Sequence, residues 1–175
     1  MTRSHHTDTS DRTNAMNVDL KNRVALVTGG ARDIGRAISR ALAASGAAVA
    51  VNYNASREQA DSLVAEITGL GGRAIAVQAD VTKGAEVERL VAETAAAFGG
   101  LDILVNNAGG LVARKKMDEM DEAFWDQVMA LNLKSVFLAT KAALPSRVAA
   151  ITAQPAPAAR FSPDGTRSRR LGVSQ

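Results

Sequence analysis

The sequence predicts an α/β fold built on a parallel β-sheet. From Arg23 onward, short apolar runs alternate with longer stretches of helical periodicity, which is the pattern of βαβ units. The apolar runs show no polar alternation, as expected for parallel strands that are buried on both faces. These predicted strands cover residues 24–27, 48–53, 74–77 and 103–105.

Three helices are expected between these strands, and a fourth follows the last strand. They are predicted near residues 34–44, 57–68, 85–98 and 121–143. Asp118 or Asp121 is available to cap the fourth helix. Pro145 is expected to lie just beyond its end, because proline normally cannot continue a helix.

Right-handed crossovers between these elements place the four strands in the order 3-2-1-4. That order is one half of a doubly wound, Rossmann-type sheet plus the first strand of the other half. No later strands are recognisable after Pro145, where the sequence is rich in Ala, Pro, Arg and Ser. We therefore expect an incomplete Rossmann domain over residues 21–145, a disordered leader over residues 1–20 and a disordered basic tail over residues 146–175.

Composition excludes several classes of protein. The chain has no cysteine, which excludes disulfide scaffolds, thiolate zinc sites and cysteine nucleophiles. Its net charge of +3 comes from the arginine-rich tail, so a nucleic-acid partner is not expected for the near-neutral remainder. No apolar run approaches the ~20 residues that span a bilayer, so no membrane partner is expected. A cytoplasmic location is the simplest expectation.

A glycine-rich turn joins the first predicted strand to the first predicted helix. It reads Thr28-Gly29-Gly30-Ala31-Arg32-Asp33-Ile34-Gly35. A dinucleotide pyrophosphate needs a tight turn, close approach of the backbone and the free N–H groups of a helix N-terminus. The position of the turn therefore favours nucleotide binding over an ordinary strand-to-helix connection.

This turn resembles the TGxxxGxG signature of the short-chain dehydrogenase/reductase family, and the resemblance spans about residues 20–145. Three later matches occur in the family's order: Asp80-Val81 after strand 3, Asn106-Asn107-Ala108-Gly109 after strand 4, and Asn132 inside the fourth helix. The resemblance implies that Asp80 contacts adenine and that the Asn-Asn-Ala-Gly motif supports the sheet and lies along the cofactor. It also implies that Asn132 is the family's catalytic asparagine.

Each of these matches has an ordinary structural alternative when it is taken alone. Asp80 could cap the next helix, and residues 106–109 could form a simple turn. Asn132 is harder to explain in that way, because asparagine is a poor residue for the middle of a helix and competes for backbone hydrogen bonds.

Asp33 departs from the family pattern, in which glycine is usual at this position. Its carboxylate suits the positive end of a helix dipole but could repel a phosphate. Aspartate also tolerates unusual backbone angles better than most residues do. We expect weaker cofactor binding rather than none.

The end of strand 2 indicates which nicotinamide cofactor is preferred. Sites that prefer NAD carry an Asp or Glu there, which holds the ribose 2′-hydroxyl. This sequence reads Val51-Asn52-Tyr53-Asn54 and has no carboxylate, while Arg32 and Arg57 could face a 2′-phosphate. NADP(H) is therefore favoured over NAD(H), unless both arginines are simply solvated charges.

The groups that deliver the proton in this family have no counterpart in this chain. The resemblance implies a Tyr-x-x-x-Lys pair and a serine, which act with the asparagine on a small carbonyl or alcohol substrate. The only tyrosine is Tyr53, no lysine lies four residues after it, and Lys141 follows no tyrosine.

We therefore expect an oxidoreductase similar to the 3-oxoacyl-(acyl-carrier-protein) reductases, in a chain that is truncated or frame-shifted beyond about Leu144 and is catalytically incompetent. The alternatives are a non-catalytic dinucleotide-binding module and a partner of an intact homologue. Homo-oligomers are typical of the family, but only half of the usual helical contact is present here, so a homo-oligomer is doubtful for this chain.

Overall fold

The structure, a computed structural model, describes the backbone of residues 18–152 and the side chains as far as Pro145. The predicted leader and the predicted tail lie almost entirely outside the described residues. The helices and strands follow the predicted order along the chain. They are β1 (Val24–Val27), α1 (Asp33–Ala44), β2 (Ala48–Tyr53), α2 (Arg57–Gly69), β3 (Arg73–Gln78), α3 (Gly84–Phe98), β4 (Ile103–Val105), α4 (Glu122–Met129) and α5 (Ser135–Thr152).

The four strands form one parallel sheet in the order β3-β2-β1-β4, which confirms the predicted topology. Ala48 pairs with Arg73 and Tyr53 with Gln78, so β3 is one residue longer at each end than its apolar run predicts. Within the described residues, β4 is an edge strand. The carboxyl ends of all four strands therefore meet at one edge of the sheet.

The central strands β1 and β2 are buried along their whole length, as the apolar runs predict, whereas β3 and β4 are only partly buried. On one face, Leu26 and Ala50 pack with Leu90 of α3 and Ala143 of α5. On the other face, alternate strand residues pack with Leu63 of α2 and with the partly buried side of α1. Helices on both faces make this half of a doubly wound sheet.

The fourth predicted helix differs from the structure. It is divided into α4 and α5 by a π-helical turn at Ala130–Lys134, and α5 continues past Pro145 to Thr152. The prediction that Pro145 lies beyond the helix end is therefore wrong. Proline leaves the carbonyl four residues earlier without its helical partner, but buried Ala139 and Ala143 pack this helix against α3 and the sheet and offset that loss.

The start of the fourth helix is as predicted. The Asp121 carboxylate accepts a hydrogen bond from Phe124 N at 2.8 Å and caps α4. Asp118 instead lies in a separate 3-10 turn, Met117–Glu119. Among residues 18–152, no helix combines the length and the apolar character needed to cross a membrane.

Candidate dinucleotide site

A cleft of about 440 Å³ lies at the carboxyl edge of the sheet. The glycine turn, the end of β2, the segment after β3 and the segment after β4 all contribute to its wall. The lining residues are Gly29, Ala31, Arg32, Asp33, Ile34, Gly35, Asn52, Tyr53, Asn54, Ala55, Ser56, Ala79, Asp80, Val81, Asn107, Ala108, Gly109 and Leu131. A larger groove of about 860 Å³ lies on α4 and α5, but its lining is mainly apolar, so the smaller cleft is the better candidate for a polar cofactor.

Most of the predicted cofactor-binding residues line this cleft. Thr28, Gly30 and Asn106 do not, and they lie immediately next to residues that do. Sequence reasoning did not name Tyr53 at the end of β2 or residues 54–56 after it as lining groups, nor Ala31, Ala79 and Leu131. For Tyr53 and residues 54–56, the position at the carboxyl end of a parallel strand was the signal that could have found them.

Thr28 connects the glycine turn to the segment after β4. Its buried hydroxyl accepts hydrogen bonds from Asn107 N and Ala108 N, each at 3.0 Å, and donates to Val105 O at 3.2 Å. In return, Asn107 Nδ2 donates to Thr28 O at 3.0 Å and to Gly29 O at 3.1 Å. Thr28 and Asn107 therefore hold the glycine turn and the segment after β4 together at the wall of the cleft.

The glycine turn brings the backbone unusually close to the start of α1. Gly29 has a φ of 60°, a left-handed conformation that favours glycine. A Cβ atom on Gly35 would collide with the Gly29 carbonyl, so this glycine is required by close packing. The first helical bond runs from Arg36 N to Arg32 O at 2.9 Å, which leaves the preceding N–H groups of α1 without helical acceptors beside the cleft.

Asp33 begins α1 in a left-handed conformation with a φ of 48°. Such a value is uncommon outside glycine, and aspartate is among the residues that tolerate it best. The backbone therefore explains both why glycine suits this position and why aspartate can replace it. The exposed Asp33 side chain adds a negative charge to the lining of the cleft.

The two arginines considered for a 2′-phosphate have different surroundings. Arg32 is exposed and lines the cleft beside Asp33. Arg57 does not line it, and its guanidinium pairs with Asp61 one turn later in α2 at 3.5 Å. Of the two, only Arg32 is brought to the candidate site.

Asp80 forms a tight turn between β3 and α3. Its Oδ1 accepts from Thr82 N at 3.0 Å and from Thr82 Oγ1 at 2.7 Å. Helix α3 begins after Lys83, whose side chain makes no capping bond, so Asp80 does not cap that helix. Behind the turn, Glu86 Oε2 accepts from Asp80 N at 2.8 Å, and Glu86 Oε1 lies 3.1 Å from Lys83 Nζ.

The charges of this turn support one another. Burial by itself would raise the pKa of the Asp80 carboxyl, but the hydrogen bonds from Thr82 and the nearby Lys83 ammonium hold it below its ordinary value. The bond from Asp80 N and then the contact with Lys83 lower the pKa of Glu86. The contact between Lys83 and Glu86 raises the pKa of Lys83, and the nearby Asp80 carboxylate raises it by a smaller amount. At neutral pH, Asp80 therefore presents an ionised acceptor at the cleft.

Asn132 lies inside the π-helical turn between α4 and α5. Its Oδ1 accepts from Gly110 N at 2.9 Å, and its Nδ2 donates to Gly110 O at 3.1 Å and to Val128 O at 2.9 Å. This side chain does compete for backbone hydrogen bonds, and π turns are often found at functional sites. Asn132 thus holds the segment that follows the Asn-Asn-Ala-Gly motif.

Asn106 makes a second connection between this motif and the helices. Its Nδ2 donates to Thr140 Oγ1 of α5 at 3.3 Å. The four residues of the motif therefore have different contacts: Asn106 bonds to α5, and the other three line the cleft, with Asn107 also bonded to the glycine turn.

The comparisons with known proteins all point to the same family. The family model described as short chain dehydrogenase matches residues 23–153. Over 127 residues, the chain is 49% identical to a 3-oxoacyl-[acyl-carrier-protein] reductase from Synechocystis sp.. The aligned region covers 70% of this chain and 49% of that protein.

Solved structures agree in both sequence and shape. A short chain dehydrogenase from Burkholderia cenocepacia in complex with NADP has a TM-score of 0.70 at 45% identity, over 73% of this chain and 52% of that one. A dehydrogenase/reductase from Sinorhizobium meliloti has a TM-score of 0.71 at 42% identity, over 74% of this chain and 51% of that one. The chain spans about half the length of the relatives it matches.

Proposed function

This chain belongs to the short chain dehydrogenase family, and from that premise we propose that it binds NADP(H) in the cleft at the carboxyl edge of its sheet. The observation that carries the proposal is the convergence of three segments on one cleft: the glycine turn, the Asp80 turn and the Asn-Asn-Ala-Gly motif. The NADP complex of the Burkholderia cenocepacia relative supports it.

The residues of the cleft fit the chemical parts of a dinucleotide. The N–H groups at the start of α1 suit the pyrophosphate, because they carry partial positive charge and have no helical acceptors. The ionised carboxylate of Asp80 is an acceptor suited to the amino group of adenine. When bound, the reduced nicotinamide would supply a hydride to a carbonyl carbon.

The preference for NADP(H) over NAD(H) is also a proposal. The residues that line the cleft at and after the end of β2 are Asn52, Tyr53, Asn54, Ala55 and Ser56, and none is a carboxylate. Arg32 is the cation beside them, and a guanidinium is well suited to a phosphate monoester.

Calorimetric titration of the 175-residue chain with NADPH and with NADH tests the proposed binding. We expect saturable binding of both and tighter binding of NADPH. Gly35→Val is the matched variant that should bind neither dinucleotide, because a side chain at this position would collide with the Gly29 carbonyl. Failure of the unaltered chain to bind either dinucleotide would contradict the proposal.

We further propose that the whole protein interconverts a carbonyl and an alcohol, as a 3-oxoacyl-thioester reductase does, and that the 175-residue chain does not do so alone. The chain contains one tyrosine, Tyr53, which is buried, and Arg57 rather than lysine lies four residues later. The Asn132 amide is engaged with Gly110 and Val128. NADPH oxidation with a 3-oxoacyl thioester should stay at the uncatalysed rate, and measurable turnover by the pure chain would refute this part.

Association with another chain of the same family is the last part of the proposal. The groove on α4 and α5 is lined by Met129, Leu133, Phe137 and Leu144, and the last three are at least half exposed. Exposed apolar patches of this kind favour contact with another protein surface.

A further inference from the structure

Asn52 is a buried polar side chain near the carboxyl end of β2, in an otherwise hydrophobic part of the sheet. It is the fifth residue of β2 and is 2% exposed, between Val51 and Tyr53. Burying a carboxamide costs free energy unless all its polar atoms are hydrogen-bonded. A carboxamide at this depth therefore requires partners on every side.

The Asn52 carboxamide has those partners on two different segments. Its Oδ1 accepts from Gly29 N of the glycine turn at 3.1 Å. Its Nδ2 donates to Ala79 O at 3.1 Å and to Val77 O at 3.3 Å, at the end of β3, and also approaches Tyr53 O at 3.4 Å. One side chain thus joins the turn beside the pyrophosphate region to the strand end beside the Asp80 turn.

The backbone of Asn52 adds to this connection. Its carbonyl accepts from Gly30 N at 2.9 Å, so Asn52 holds the N–H groups of both Gly29 and Gly30. These two N–H groups therefore point into the sheet, and the N–H groups at the start of α1 remain for a ligand.

Only a carboxamide satisfies this geometry. The position needs an acceptor facing the Gly29 amide and a donor facing two carbonyl oxygens. An aspartate of the same shape would place a second oxygen against those carbonyls, and an aliphatic residue would remove the side-chain acceptor of the Gly29 amide and the donor to Ala79 O.

Asn52 borders the cleft, but it is 2% exposed and both ends of its carboxamide are already hydrogen-bonded within the protein. We therefore propose that Asn52 is a positioning residue for dinucleotide binding and makes no contact with the cofactor. It fixes the separation between the glycine turn and the segment of Ala79, Asp80 and Val81. This inference rests on the proposed function and deepens it. A ligand that spans both segments gains from the fixed separation, because the turn is already ordered before binding, whereas a ligand that occupies one segment does not.

The test compares a spanning ligand with a fragment. NADPH spans both segments, whereas adenosine, which lacks the 2′-phosphate, the pyrophosphate and the nicotinamide, is expected to occupy only the Asp80 segment. In the Asn52→Ala variant we expect the Kd for NADPH to rise about tenfold, the effect of one lost hydrogen bond with an unpaired buried group. The Kd for the fragment should change by no more than about twofold, within the error of such comparisons. Equal weakening of both ligands would overturn the proposal.

Thr94→Val is the matched control for a general loss of stability. The Thr94 hydroxyl is fully buried in α3, away from the cleft, and donates to Leu90 O at 2.8 Å. This variant should lower the melting temperature without changing the ratio of the two Kd values. A change in that ratio as large as in Asn52→Ala would show that Asn52 acts only through stability.

A measurement without ligand separates this inference from the proposed function. Amide hydrogen exchange by NMR should show faster exchange of the Gly29 N–H in Asn52→Ala but not in Thr94→Val, at equal distance below each melting temperature. If the unaltered chain binds no dinucleotide, the proposed function fails, and unchanged exchange at Gly29 would independently overturn the role of Asn52. Should Asn52→Ala not fold, Asn52→Ser gives the same readout, because its hydroxyl is one atom shorter than the carboxamide oxygen.

Discussion

Asp33 is the residue whose chemistry bears most directly on cofactor affinity. Its carboxylate lines the cleft at the first position of α1, and its φ of 48° lies in the left-handed region. Two physical effects are therefore combined in one side chain: repulsion of a phosphate and a modest backbone strain. They can be separated, because asparagine removes the charge and keeps the tolerance for this backbone angle.

We expect Asp33→Asn and Asp33→Gly to bind NADPH more tightly than the unaltered chain, each by about three- to tenfold, the effect of removing one nearby like charge in a solvated cleft. Glycine should also relieve the strain and raise the melting temperature, whereas asparagine should not. Calorimetric titration at low and high salt measures the charge effect, which salt should reduce. Unchanged or weaker binding in both variants would contradict the proposed repulsion.

Arg32 and Arg57 form a natural pair of test residues. Arg32 lines the cleft, while Arg57 pairs with Asp61 outside it. Arg32→Gln should weaken NADPH binding about tenfold, as expected for a lost charge-assisted contact, and leave NADH binding nearly unchanged. Arg57→Gln should change neither. If Arg57→Gln changed the preference for NADPH over NADH more than Arg32→Gln did, Arg57 and not Arg32 would be the residue that contacts the 2′-phosphate.

At the residue scale, most of the predicted cofactor-binding residues lie at the cleft, but the sequence did not indicate which of them would face it and which would support it from other positions. Thr28 and Asn107 are far apart in the chain, and their mutual hydrogen bonds depend on the register between β1 and β4. Asn52 could be placed at the end of β2 from its position alone. Its burial and its three-way bonding depend on β3, which no local pattern reveals.

Among the elements, the junction between the glycine turn and α1 is the most tightly packed. A Cβ atom on Gly35 would collide with backbone that cannot move freely, whereas one on Gly69, at the end of α2, would meet open space. Gly35→Ala should therefore lower the free energy of unfolding by about 1–3 kcal/mol and abolish detectable NADPH binding. Gly69→Ala should be neutral or stabilise by up to about 1 kcal/mol, since alanine is the better helix former.

Urea denaturation and NADPH titration of both glycine variants check this expectation. Equal stability of Gly35→Ala and Gly69→Ala would contradict the close approach of the turn to α1.

The Asp80 turn predicts a definite pH dependence. The pKa values of Asp80 and Glu86 are lowered, so their contribution to stability is complete above the ordinary carboxyl pKa and is lost as the pH falls through the lowered values. The pKa of Lys83 is raised, so its contribution is lost only when the pH rises through that raised value. The turn should therefore be unaffected by pH from about 5 to about 9.

An NMR titration of the Thr82 amide measures this directly, because that N–H donates to the Asp80 carboxylate. Its midpoint should lie below the ordinary pKa of aspartate, and Thr82→Val, which removes the hydroxyl donor, should move it upward. A midpoint at or above the ordinary value in the unaltered chain would show that the hydrogen bonds do not outweigh burial.

At the element scale, β1, β2 and β4 have the predicted bounds because apolar runs without polar alternation define them. β3 is longer than its run because pairing with β2 includes Arg73 and Gln78. The π-helical turn at Ala130–Lys134 and the passage of α5 through Pro145 could not be predicted. The first covers only five residues, too few for a shift in helical periodicity to be recognised, and the second depends on packing that offsets the usual effect of proline.

At the scale of the whole molecule, the order of the strands leaves β4 at the edge of the described sheet. The α4–α5 groove presents Phe137 with 61% of its surface exposed. An edge strand and an apolar groove both favour association with another chain. The parallel order itself was predictable, because right-handed crossovers leave few arrangements for four strands joined by helices, and 3-2-1-4 is the order that begins a Rossmann-type sheet.

Phe137→Lys should raise the dissociation constant for self-association of the chain at least about tenfold, because it places a charge in the apolar groove. Leu70→Lys is the matched control, because Leu70 is 85% exposed and does not line the groove. Sedimentation velocity over a range of concentrations measures both. Identical association of the two variants would mean that the groove is not the surface that associates.

The central claim, that one cleft at the carboxyl edge of the sheet holds a dinucleotide, is tested most directly by NMR shift mapping with NADPH on the isotope-labelled chain. We expect shifts to concentrate together on residues 29–35, 79–81 and 107–109, with little change along α4 and α5. Shifts that map instead to the α4–α5 groove, or no shifts at saturating NADPH, would contradict it.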